Sequence, residues 1–242
     1  MTRKSSAFAL CLALLAPLST PAAVEITATG LSFPFFNDAG KLTHKVNAKY
    51  GTKAGGAQQL REMEIEYFAA GDPTQVVQRV VASDALWDEK KGTLKGEGAI
   101  TVETGENRIT GEGFFFEMAR SQLEIHRNFT MANREVLLSS DRATVDLVLE
   151  RDGDESTDVK LRDIKSCEAL GNLRVKVLPT ATQKYDSDEA HSDRAVYDGA
   201  THTVTLPHET ELFKGGRKTG RTSHMVYKLD QDKRPALKLK KD

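Results

Sequence analysis

From Met63 onward the chain alternates apolar and polar residues in short runs. Met63, Ile65 and Tyr67 alternate, as do Leu94, Gly96, Gly98, Ile100 and Val102. Val145-Leu147-Leu149, Leu173-Val175-Val177 and Val204-Leu206 repeat the pattern. A period of two puts alternate side chains on opposite faces of a pleated strand, so each run predicts a strand with one buried face. Asp198-Gly199 and Glu106-Asn107 supply hairpin punctuation between runs. Gln58 to Phe68 is the best candidate for a helix, but the alternation of Met63, Ile65 and Tyr67 favours a strand.

A second regularity lies over the first. Ser140-Asp141-Arg142-Ala143-Thr144-Val145-Asp146 nearly repeats as Ser192-Asp193-Arg194-Ala195-Val196-Tyr197-Asp198. Aligned on Val145 and Tyr197, Ala82–Asp88 fits with Trp87 at the centre and Gly111–Glu117 with Phe116. Thr222–Lys228 fits more loosely, with Tyr227. The spacings between centres are 29, 29, 52 and 30 residues. The long gap has room for a degenerate unit, with an insertion around Arg151–Asp158. Each centre is followed by a polar turn and an alternating run, so a unit holds at least two short strands.

These units predict an all-β chain: a ladder of antiparallel strands folded over to enclose its apolar face. Many inward positions are Gly, Ala or Thr, with an aromatic at several repeat centres, and aromatics are only 7% of the chain. Small inward residues fit a partly hollow groove and a thin, filled sandwich equally well.

The 242-residue chain opens with Arg3 and Lys4, then an apolar stretch from Ala7 to Leu18, then Thr20-Pro21-Ala22-Ala23. This is the pattern of a cleavable secretory signal over 1–22, too short in its apolar part to span a bilayer. Leu10 before Cys11 is too large for a lipoprotein processing site. Residues 23–242 are then one β domain, with a formal charge of −3 once Arg3 and Lys4 are removed from the whole-chain value of −1. So balanced a charge gives no reason to expect nucleic acid as a partner. Cys167 is the only cysteine after the signal, which precludes an intrachain disulfide there. From Lys214 the chain is basic: Arg217, Lys218, Arg221, Lys228, Lys233, Arg234, Lys238, Lys240 and Lys241 face only Asp230, Asp232 and Asp242. A solvated edge and tail is the simplest reading of that segment.

The unit "small-Asp-x-Ala-x-aromatic-Asp, polar turn, alternating strand, Gly-Asn-hydrophobic" is carried by Ser192–Asp198 and by Ala169-Leu170-Gly171-Asn172-Leu173-Arg174-Val175. It resembles the OstA-like family of lipopolysaccharide-export proteins. Phe35-Phe36-Asn37-Asp38-Ala39-Gly40-Lys41-Leu42 looks like the aspartate-x-glycine first strand of the LptC branch, whereas the cleavable signal looks like the LptA branch. The likeness extends over most of residues 30–230. It implies a semi-open antiparallel β-jellyroll in the periplasm whose interior passes lipid acyl chains. It also implies lipopolysaccharide or a related lipid as ligand, other jellyrolls as partners joined head to tail by strand edges, self-association, and no cofactor. A single twelve-carbon chain in water costs on the order of 10 kcal/mol, at about 0.8 kcal/mol per methylene, which is what such a groove would offset. The lining it implies is Ala85, Trp87, Ile100, Val102, Phe114, Phe116, Leu123, Ile125, Val145, Leu147, Leu149, Leu173, Val175, Val177, Tyr197, Val204, Leu206 and Tyr227. The same residues could simply fill a core. The pairing edges are expected near Leu42–Tyr50 and Met225–Leu239.

Little in the sequence points to an enzyme. No Gly-x-Ser-x-Gly, His-Glu-x-x-His, phosphate loop or cysteine pair occurs. His191, Asp193, His202, His208 and Glu209 lie close in sequence but at irregular spacing, which argues against a metal site. No carboxylate pair stands out as a glycosidase pair. Cys167 reads as a small inward residue beside Ala169. The competing readings are a non-lipid cell-envelope scaffold or carbohydrate-binding module, and, behind it, a hydrolase on a β framework.

Overall fold

The computed structural model describes residues 26–229 apart from 38, 55–56, 70–71, 89, 106, 152–158 and 178–187. The expected signal over 1–22 and the tail beyond Leu229 lie outside the described residues. All regular structure among the described residues is strand. The fifteen strands are β1 Ile26–Phe36, β2 Leu42–Ala54, β3 Ala57–Ala69, β4 Asp72–Asp88, β5 Thr93–Thr104, β6 Asn107–Glu117, β7 Gln122–Ala132, β8 Val136–Ser140, β9 Arg142–Arg151, β10 Val159–Val177, β11 Glu189–Asp198, β12 Thr203–Leu206, β13 Thr210–Lys214, β14 Arg217–Thr222 and β15 Met225–Lys228. Gln58–Phe68 falls in β3, as its alternation predicts.

Every pairing is antiparallel. The pairings β7–β8, β8–β10, β10–β9 and β9–β7 close a small four-strand circuit, with the other strands bonded outward from it. The register explains the closure. Leu123 faces Val145 on β9 and Met131 faces Leu138 on β8, so β8 and β9 are two halves of one pass bent at Asp141. β10 pairs with the same two halves on the other side. β12 and β13 likewise form one bent pass beside β11, and β14 and β15 another. The chain is therefore a meander of bent passes from β1 to β14–β15, and no described pairing joins its first pass to its last.

The bends account for the Ser-Asp-x-Ala of Ser140–Ala143 and Ser192–Ala195 and for the shorter Ser83-Asp84-Ala85. Buried positions change parity there: Ala82 gives way to Ala85 in β4, Ser140 to Ala143 across β8–β9, and Ala190 to Ala195 in β11. An extra residue in one strand of a pair produces such a switch and bends the sheet. An aspartate at each of these bends ties it to the next pass: Asp141 and Asp193 two residues before the motif alanine, and Asp84 directly before Ala85. Asp84 accepts hydrogen bonds from the backbone N–H of Glu97 (3.1 Å) and Gly98 (2.8 Å). Asp141 accepts from Asn172 Nδ2 at 2.9 and 3.1 Å. Asp193 accepts from His208 Nδ1 at 2.7 Å. Gly98 and Gly171 make these clamps sterically feasible. A Cβ on Gly98 would lie 2.2 Å from Asp84 Oδ1, and one on Gly171, at φ +78°, 2.5 Å from Asp141 Oδ2. The alanine that ends the motif is the first inward residue beyond the bend, buried in all three copies.

Two expectations need correction. The first edge is β1, not Leu42–Tyr50, which lies in β2 between β1 and β3. Gly30, at φ +63°, and Pro34 break the alternation of β1, which hides it as a strand in the sequence. Nor does the 52-residue gap hold another unit. Val145 and Tyr197 flank the single strand β10, both facing Cys167, and the added length lies in the segments joining β9 to β10 and β10 to β11.

Candidate functional site: an inward row with one open end

The repeat centres meet in the sheet. Trp87 on β4 faces Leu94 on β5, which faces Phe116 on β6, which faces Leu123 on β7. Leu123 faces Val145, then Cys167, Tyr197, Val204 and finally Tyr227 on β15. One row thus crosses nine strands and contains all five centres. Spacing alone reveals the centres, because each unit advances the chain by one down-and-up pair of strands. It does not reveal Leu94 or Cys167, which sit on the return strands.

A second row on the same face runs Phe114, Ile125, Ala143, Ala169, Ala195. Beyond the bend a third runs Val46, Ile65, Val80, Val102, Ile109, Met131, Leu138, Val175, Ala190. Of the lining implied by the sequence, Ala85, Ile100, Val102, Phe114, Leu123, Ile125, Val145, Leu147, Leu173, Val175, Tyr197, Val204, Leu206 and Tyr227 are buried in one continuous core. Trp87 and Phe116 are half-buried against it, as is Leu94. Leu149 and Val177 lie in β9 and β10, and their side chains fall outside the described residues. Core members not singled out in advance include Leu60, Phe129 and Met131. Their signal was the alternation, but the parity change at each bend scrambles it.

Solvent reaches this face unevenly. Val145 and Val204 are 0% exposed, and Leu147 is only 6% exposed although it faces Ile164 near the far end of β9. The rows through β9–β12 are therefore enclosed by protein atoms. The opening lies at Trp87, Leu94 and Phe116, on β4 to β6.

Cys167 is buried, and desolvation, with Asp146 and Glu168 adding to it, pushes its thiol well above the ordinary range. A thiol held protonated is a poor nucleophile. Asp146, one residue out of phase with Leu147, accepts from Gln122 Nε2 (3.0 Å) and Ser166 Oγ (2.7 Å). Those two donors, Gln122 first, hold its carboxyl below the usual carboxylate value. His191 contacts Glu189 and packs on Phe213, ring centroids 4.2 Å apart. His191 and His208 thus bond to different carboxylates, Glu189 and Asp193, and Glu209 pairs with Arg221. Among the described residues no three His, Cys, Asp or Glu side chains converge on a metal position, and no helix is long and apolar enough to cross a membrane.

The chain matches no protein-family model, and no curated protein matches it.

Proposed function

We propose that this protein is a non-catalytic β-scaffold of the cell envelope, a module that acts by presenting sheet edges and surface to other molecules. The observation that carries the reading is the closed interior. From Leu123 to Val204 the inward row is packed against its own chain, leaving no exposed apolar lining there. A secretory signal at 1–22, export to the periplasm and pairing with other jellyrolls through a strand edge belong to the same proposal. They rest on the sequence and on its resemblance to the OstA-like proteins.

One observation favours a second reading, lipid carriage through a semi-open jellyroll. Trp87, Leu94 and Phe116 leave apolar surface accessible at one end of the row. The two readings part at Leu147. A photo-crosslinking residue at 147, compared in cells with one at exposed Phe33 on β1, tests them together. The scaffold reading expects protein capture at 33 and no lipid at 147. Lipopolysaccharide captured at 147 but not at 146 would replace it with lipid carriage.

A further inference from the structure

Among the described residues, the two outer edges of the meander are chemically unlike. The last pass, β14 and β15, is six and four residues long and carries Arg217, Lys218, Arg221 and Lys228. Lys218 pairs with Glu211, and Arg221 with Glu209 and Glu211. A short, charged edge discourages strand addition. β1 is eleven residues long and has no charged residue. Its Phe35 is held inward by stacking on His44, centroids 4.2 Å apart. Phe33 and Phe36 remain 39% and 56% exposed.

Phe33 also has a defined place. It faces Val46, and so stands at the outer end of the core row that runs through Ile65, Val80 and Val102 to Ala190. That row ends at the other edge on Leu212, opposite Gly220 of β14, which has no side chain. A copy added head to tail would set Phe33 against a glycine that precedes Arg221 and follows Lys218 by two residues. A copy related by a two-fold axis would set Phe33 against Phe33.

We propose that β1 is a self-pairing edge: Leu31–Phe36 runs antiparallel to the same segment of a second copy, about an axis near Phe33. The inference rests on the scaffold reading and names the partner of its uncharged edge. An axis through Phe33 sets Leu31 of one copy opposite Phe35 of the other and joins the two core rows into one across the interface. A two-fold contact of this kind is closed, so it yields dimers rather than filaments. Pro34 offers no N–H, so the added ladder is interrupted and apolar contact carries more of the association.

The test is the mass of the full chain by sedimentation, followed from about 1 to about 100 micromolar, the range in which a contact this small would associate. The expected result is a monomer that becomes a dimer across that range. Phe33→Lys should hold it monomeric, and Lys218→Glu on the opposite edge should leave the dimer unchanged. Phe33 is on the surface, so the lysine variant should keep the wild-type circular dichroism spectrum. If it does not, Ser32→Cys in a Cys11→Ser background replaces it: a short bismaleimide should then link two copies at 32, while Cys167 stays buried. A monomer throughout, no link at 32, a dimer that survives Phe33→Lys, or a dimer abolished by Lys218→Glu would overturn the proposal. The scaffold reading fails separately. A monomeric chain whose crosslinker at 33 still captures another protein ends self-pairing alone, and a chain that captures neither ends both.

Discussion

The inward row is the same construction at both ends, yet its two ends differ. Through β9 to β12 it presents Val145, Cys167, Tyr197 and Val204, all buried. Through β4 to β6 it presents Trp87, Leu94 and Phe116, all half-buried. The large residues sit where the row is open and smaller ones mostly where it is shut. A bulky side chain therefore does not mark a wall around empty space here; it covers an end that has fewer neighbours to cover it. Inward-facing position is a property of the repeat, whereas accessibility depends on which strands lie opposite.

Substitutions at the closed part should test that contrast most severely. Tyr197→Ala, in the closed stretch of the row on β11, should cost about 3–5 kcal/mol in denaturant unfolding, because it leaves a cavity in a packed core. Trp87→Ala at the open end should cost about 2 kcal/mol, since part of its surface is already in water. Equal losses would mean that the two ends are packed alike. The bends that create the contrast should come next. Asp84→Ala removes the acceptor of the Glu97 and Gly98 amides, an expected loss of about 1–3 kcal/mol. Hydrogen exchange should quicken first at those two amides.

A smaller effect is expected at the turn end of the closed part. The carboxyl of Asp146 is held below its ordinary value by Gln122 and then Ser166. A group depressed on folding contributes stability that is present above its unfolded value, near pH 4, and is lost as pH falls through the folded one. The unfolding midpoint should therefore drop as pH is lowered below about 4, and Asp146→Asn should flatten part of that drop. Asp88, Asp198 and Glu211 are shifted in the same direction. The Cys167 thiol, pushed up by burial, should not react with a maleimide in the native chain and should react at once in denaturant. Labelling of Cys167 itself in the native chain, read in a Cys11→Ser background, would mean the closed end opens.

The sequence was legible where its period held. β3, β5, β9 and the β10–β11 pair were readable because Met63, Ile100, Leu147 and Val175 sit in clean alternation. The repeat gave the row itself, because Trp87, Phe116, Val145, Tyr197 and Tyr227 each occupy the same step of a strand pair. β1 was missed, because Gly30 and Pro34 interrupt its pattern. The long gap between Val145 and Tyr197 was misread because spacing counts residues, and residues added between strands lengthen the gap without adding a pass. Whether the face was groove or core was not readable at all. Val145 looks the same in the sequence with another strand or an acyl chain above it.

Trp87 is the one tryptophan of the chain and stands at the open end of the row. Its fluorescence, titrated with micelles of a phospholipid carrying brominated acyl chains, reports directly on whether a lipid chain enters. A packed scaffold predicts emission quenched no more than by the same lipid without bromine. Saturable quenching by the brominated lipid, lost in a Phe116→Asp variant that still folds, would mean that acyl chains occupy the interior and would contradict the scaffold reading.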